Sequence, residues 1–104
     1  DFKRADEKFY NEILQGVFKN LESLKIEIST YLDRPYEELS PIELSIMYSS
    51  LYELKYSPTT PYKVVINEAI EVAKSFGGID GYKYINGVLN QAAEKNRKDE
   101  FKKL

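Results

Sequence analysis

From about Asp6 to Leu32, apolar residues recur at Tyr10, Ile13, Leu14, Val17, Leu21, Leu24, Ile28, Tyr31 and Leu32. Steps of three and four keep them on one face, so the pattern predicts a single long helix with room for a bend. Gly16 is the weak helix former in its interior, and a glycine on or beside an apolar stripe lets another helix come close. Pro35 ends the segment, because the residue before a proline avoids the helical region. Ser40-Pro41-Ile42-Glu43 then carries a complete start signal: a serine N-cap, proline at the first helical position, and a carboxylate at the third that can reach back. It predicts a second helix over 41–56. Ser57-Pro58-Thr59-Thr60-Pro61 interrupts the chain. With Thr60 as N-cap, a third helix is expected over 61–76, turning Val65, Ala69, Val72, Ala73 and Phe76 inward. Gly77-Gly78 stops it, and Asp80 can cap a fourth helix to about Arg97 with Ile85, Val88, Leu89 and Ala92 inward. No useful stretch alternates with period two. The expected fold is therefore all-α, one domain of four to five helices over 1–104, with 98–104 as a frayed tail.

Burial raises a difficulty. Three shorter helices must cover a nine-residue face, and an uncovered stripe of that kind points to a missing partner element, a dimer or a swapped arrangement. The composition, 42% hydrophobic and 31% charged, is that of a chain that folds. No apolar run approaches the ~18 residues of a membrane span, so a membrane role is not expected.

The net charge of −2 is far from the strongly basic balance of a protein that grips nucleic acid by phosphate neutralisation alone. The charge is uneven, however. Residues 1–56 carry seven Lys/Arg against eleven Asp/Glu, and residues 57–104 carry eight against six. The basic residues thicken at Lys95, Arg97, Lys98, Lys102 and Lys103, but Glu94, Asp99 and Glu100 sit among them at helical pairing distances. A solvated, fraying helix end is the expected reading of that run.

The chain has no cysteine and no histidine, which removes disulfides, thiolate and Ser-His nucleophiles, and zinc sites built on those residues. Glu68 and Glu71 lie one turn apart, but without a histidine they cannot complete a Glu-x-x-His metal bundle, and a solvated face is expected. Gly77-Gly78 fits neither phosphate-loop pattern. No catalytic residue, metal site or cofactor is assigned. Nine tyrosines raise the alternative of a base-stacking surface. Tyr48, Tyr52 and Tyr56 repeat every four residues, which suits half-buried packing. Tyr82 and Tyr84 flank Lys83 at a helix start, where packing and base stacking are equally open.

The stretch PYKVVINEAIEVAKSFGG from Pro61, followed by KYINGVLN from Lys83, resembles the C-terminal signature of the NusB transcription antitermination family. Ser49-Ser50-Leu51-Tyr52-Glu53-Leu54 resembles the family's Leu-Tyr-Glu-Leu helix end, and Leu14-Gln15-Gly16-Val17 its central long helix. The resemblance covers residues 6–95 with little or no gap. NusB proteins begin with two further helices, the first arginine-rich, that nothing here matches. The start on Asp1 and the surplus apolar face together suggest a NusB-like chain without its N-terminal arm. The resemblance implies an all-helical bundle and a cytoplasmic, non-enzymatic factor. It also implies binding to the single-stranded boxA element of ribosomal RNA leaders together with NusE, a small-subunit ribosomal protein, in the RNA polymerase antitermination complex. Homo-dimerisation is a further expectation from the family.

Carried over by position, Asp80, Lys83 and Tyr84, with Tyr82 beside them, match the family's RNA surface. Tyr84 suits stacking on a base, Lys83 a phosphate, and Asp80 a base edge or a helix cap. Ile79 and Tyr84 also fit a hydrophobic staple. Glu43 matches the NusE contact, yet the same carboxylate would complete a capping box with Ser40. Two alternatives stand beside this reading. One is the RNA-positioning appendage of a ribosomal RNA cytosine methyltransferase, whose pattern is usually looser; the other is a self-associating helical module.

Overall fold

The computed structural model describes residues 2–76 and 81–102, with side chains over 7–76 and 81–101. Six helices follow one another: α1 (Phe2–Lys19), α2 (Leu21–Tyr31), α3 (Pro41–Tyr56), α4 (Tyr62–Ser75), α5 (Gly81–Asn96) and α6 (Lys98–Lys102), with a 3-10 turn at Tyr36–Glu38 between α2 and α3. No strand occurs among the described residues, as the absence of alternation predicts. The expected single long helix is instead divided at Asn20, whose φ of −114° and ψ of 18° leave the helical region. The Asn20 side chain donates to the Gly16 carbonyl at 2.8 Å, a local bond that competes with the helical ladder and bends the path.

The division splits the apolar face. Leu24, Ile28 and Tyr31 of α2 are buried in the core with Leu39, Met47, Leu51, Leu54, Val65, Ile85 and Leu89. On α1 only Ile13 and Gly16 are buried among the described side chains, while Tyr10 and Leu14 stay more than half exposed. The surplus expected of the first stripe therefore lies at Tyr10 and Leu14 of α1 and at Leu21, the first residue of α2. Gly16 is where α1 meets α3: a Cβ built there would collide with the hydroxyl end of the Tyr52 ring, so only glycine allows this approach. Of the tyrosine stripe, Tyr48 is buried with its hydroxyl paired to Tyr36, Tyr52 packs on Gly16, and Tyr56 is exposed at 4.8 Å from the Tyr52 ring centre. Burial, then the bond to Tyr36, drives the Tyr48 hydroxyl pKa upward.

The capping box at α3 is present as read from the sequence. Ser40 Oγ accepts from the Glu43 amide at 3.1 Å, and Glu43 Oε1 accepts from the Ser40 amide at 2.9 Å. Helix α4 departs from expectation, because Pro61 and not Thr60 is its N-cap and no side chain of its own caps it. The Glu100 carboxylate of α6 does so instead, accepting from the Tyr62 amide at 3.0 Å. On α4, Val65, Ala69 and Ala73 are inward as expected, but Val72 and Phe76 are exposed. All four inward positions expected on α5 are buried; Asp80, its expected cap, lies outside the described residues, as do Gly77, Gly78 and Ile79.

The C-terminal run is corrected most. Arg97 is buried, with 7% of its surface exposed. Its guanidinium donates to the carbonyls of Leu54 at 2.8 Å, Ser57 at 2.9 Å, Glu53 at 3.2 Å and Thr60 at 2.8 Å, and it pairs with Glu100. Arg97 thus gathers carbonyls from the last turn of α3 and from the loop that follows it, while Glu100 satisfies the start of α4. Residues 98–102, expected to fray, form α6, and Phe101 stacks on Tyr62 with ring centres 4.6 Å apart.

A second polar tie joins α2, α3 and α5. Glu27 accepts from Lys55 at 2.6 Å, Tyr31 at 2.7 Å and Asn96 at 2.8 Å. Burial pushes the Glu27 carboxyl up, but these three bonds outweigh it and hold the group below the usual range.

Candidate functional site

The capping box fixes Glu43 in the first turn of α3. Its two oxygens have different partners: Oε1 caps α3, while Oε2 accepts from Arg34 Nη2 at 3.1 Å. Arg34 precedes Pro35, which restricts its backbone to extended conformations and sets the side chain across the α2–α3 connection. Helix α5 closes the group from the other side. A Cβ on Gly81 would stand 3.7 Å from Glu43 Oε2, so the start of α5 abuts the start of α3.

Tyr84, one turn into α5, lies beneath Arg34, whose guanidinium carbon is 4.0 Å from the ring centre. This is a cation–π contact. The ring is half-buried and its hydroxyl is enclosed without a hydrogen-bond partner among the described residues. Tyr84 therefore keeps its polar end inside, and one ring face is already occupied. Lys83 is exposed beside it. Tyr82 points to the other side of α5, with the Lys74 ammonium 4.9 Å from its ring centre. It lines a cleft of about 140 Å³ together with Ile42, Glu43, Phe76 and Gly81.

Of the residues singled out by sequence, Glu43 and Tyr84 thus meet through Arg34, Tyr82 adjoins Glu43 across the cleft, Lys83 faces solvent, and Asp80 lies outside the described residues. Arg34 was not singled out. Its signal was a charge placed immediately before Pro35 and nine residues before Glu43, a spacing that only the turn between α2 and α3 makes short.

A second concavity runs along α1, α3 and α4. It encloses about 350 Å³ and is mainly apolar, with Tyr10, Leu14, Ile46, Val65 and Val72 on its walls and Glu53 and Glu68 at its polar edge. Burial, then repulsion from Glu68, pushes the Glu53 carboxyl up to about 7, against the opposing pull of Arg97.

Fold and site define an all-helical bundle in which Glu43, Arg34 and Tyr84 meet where α3 and α5 begin. The NusB family model matches residues 1–94. The transcription antitermination protein NusB of Methylobacillus flagellatus is 46% identical over 103 residues, covering 99% of this chain and 67% of that protein. That of Thiobacillus denitrificans is 51% identical over 96 residues, 92% of this chain and 66% of that protein. Among solved structures, T. maritima NusB superposes with a TM-score of 0.80 at 31% identity, covering 88% of this chain and 66% of that one. The chain belongs to the NusB family. It spans about two thirds of the length of the relatives it matches, and the names of those relatives are those of a transcription factor and not of an enzyme.

Proposed function

We propose that this chain contributes to transcription antitermination by binding single-stranded boxA RNA together with NusE in the cytoplasm, as part of an RNA polymerase antitermination complex. The observation that carries the reading is the convergence of Glu43, Arg34 and Tyr84 on one surface, with Lys83 exposed beside them. An aromatic–cation layer next to a free lysine suits an unpaired base and its phosphate. The accessible edge of Glu43 and the cleft bounded by Ile42, Phe76 and Tyr82 suit a basic, partly apolar protein segment. Asp80 remains assigned to the RNA side by its place immediately before α5.

Fluorescence anisotropy of a labelled boxA oligonucleotide against a scrambled control, with and without NusE, tests this. Preferential binding of boxA that strengthens with NusE is expected. Equal binding of the two oligonucleotides in the presence of NusE would overturn it.

A further inference from the structure

Tyr84 is a natural choice for a base-stacking residue, but its surroundings redirect that role. The hydroxyl is enclosed and the guanidinium carbon of Arg34 stands over the ring, 4.0 Å from its centre. A base approaching that face meets Arg34 first. The Arg34 side chain keeps 38% of its surface exposed, so it is open to approach from solvent. A guanidinium is planar and weakly hydrated, and it stacks on bases by the same forces that hold it on tyrosine. Two fixtures hold this plane in place: the Tyr84 ring beneath it and Glu43 Oε2 at its edge, with Pro35 limiting the backbone it hangs from.

We propose that Arg34 is an RNA-contact residue whose guanidinium, sandwiched on Tyr84, is the plane on which an unpaired base is seated. The assignment rests on the RNA-binding function proposed above. Glu43 then has a further part: while it pairs with Arg34 it neutralises that charge, and a cationic group of the protein partner that takes Glu43 leaves the guanidinium on the Tyr84 ring with its charge no longer offset. Protein and RNA sites are coupled through one shared side chain.

The test compares wild type with Arg34→Ala, Arg34→Lys and Glu43→Gln in boxA and scrambled-RNA titrations over a range of salt, with and without NusE. Circular dichroism and Tm check that each variant is folded. Arg34→Lys keeps the charge but loses the plane. Stacking therefore predicts at least about a fivefold loss of boxA affinity at an unchanged salt slope, with Arg34→Ala weaker still and its slope shallower. Glu43→Gln retains a side chain able to complete the capping box; it should raise RNA affinity without NusE and shrink the gain that NusE brings. Wild-type discrimination with undiminished binding by Arg34→Ala, or Arg34→Lys indistinguishable from wild type, would overturn the stacking assignment alone. A Glu43→Gln variant with an unaltered NusE-dependent gain would overturn the coupling. A wild-type chain that fails to discriminate boxA would overturn the function and this inference with it.

Discussion

Replacing Arg97 with alanine is the sharpest test of how the bundle is closed. The guanidinium reaches four carbonyls at 2.8–3.2 Å from a site almost wholly removed from water, and pairs with Glu100 as well. A hydrogen bond from a charged donor contributes about 1.5–3 kcal/mol net. The contacts share one side chain and do not add, and water entering the vacated space would meet some of the carbonyls. Loss of one member of a buried pair typically costs about 3–5 kcal/mol, so a destabilisation of about 3–4 kcal/mol is expected. That is a large part of the ~5–15 kcal/mol that holds a domain of this size together, and it corresponds to a fall in Tm of about 15–25 °C. Lysine at 97 should recover less than half, because an ammonium cannot span four acceptors in one plane. Urea denaturation followed by far-UV circular dichroism measures the change, with Lys98→Ala as an exposed control expected within about 0.5 kcal/mol. A double-mutant cycle with Glu100→Gln isolates the pair. If Arg97→Ala shifted stability no more than Lys98→Ala does, the clamp between α3, α4 and α6 would not be what closes the bundle.

Other perturbations probe the remaining features. Glu53 binds a proton more readily in the folded state, with its pKa raised to about 7 from 4.5, so its contribution to stability is full below the unfolded value and is lost as pH rises through that window. Glu53→Gln should therefore gain about 1–2 kcal/mol at pH ~8 and little at pH ~4, the full conversion being reduced because the group is only half-buried; a pH-independent effect in urea titrations would refute this. Glu27 has the opposite sign: its depressed pKa makes the bonds to Lys55, Tyr31 and Asn96 a source of stability above the usual carboxylate range that fades on acidification, and Glu27→Gln should flatten the acid limb of a Tm–pH curve. Gly16→Ala should cost about 1–3 kcal/mol by overpacking, and Tyr52→Leu in the same chain should relieve part of that cost; additive effects in denaturant would count against the contact. The groove along α1, α3 and α4 should bind an environment-sensitive apolar dye in the native state, and Leu14→Lys should abolish the fluorescence gain while leaving stability within about 0.5 kcal/mol.

Local signals carried most of the fold into the sequence. The capping box at Ser40 and Glu43, the helix-ending prolines and the inward positions of α5 all depend on neighbours within one turn, and each is found as read. What escaped depends on partners distant along the chain. Arg97 looked like one charge in a solvated run because its acceptors lie 37–44 residues away, on carbonyls that no sequence pattern displays. Thr60 looked like an N-cap because the competing cap, Glu100, comes from another helix. The break at Asn20 escaped because an asparagine inside an apolar repeat lowers helix propensity by little, and only its bond back to Gly16 tips the balance. At the site, Glu43, Tyr82, Lys83 and Tyr84 were legible as residue types at helix starts. Arg34 was not, since its importance comes from a ring 50 residues further on.

The thin attachment of α1 has a consequence for motion. With Ile13 and Gly16 its buried positions among the described side chains, α1 has few apolar contacts to lose when it lifts away, whereas α5 would have to withdraw Ile85, Val88, Leu89, Ala92 and Ala93 together. Amides of α1 should therefore exchange with solvent deuterium through partial openings well below the global unfolding free energy, while those of α5 exchange only when the whole chain unfolds. The Gly16–Tyr52 contact is the latch on that opening, so the boundary between fast and slow amides should fall between α1 and the core of α2 rather than run gradually along the chain.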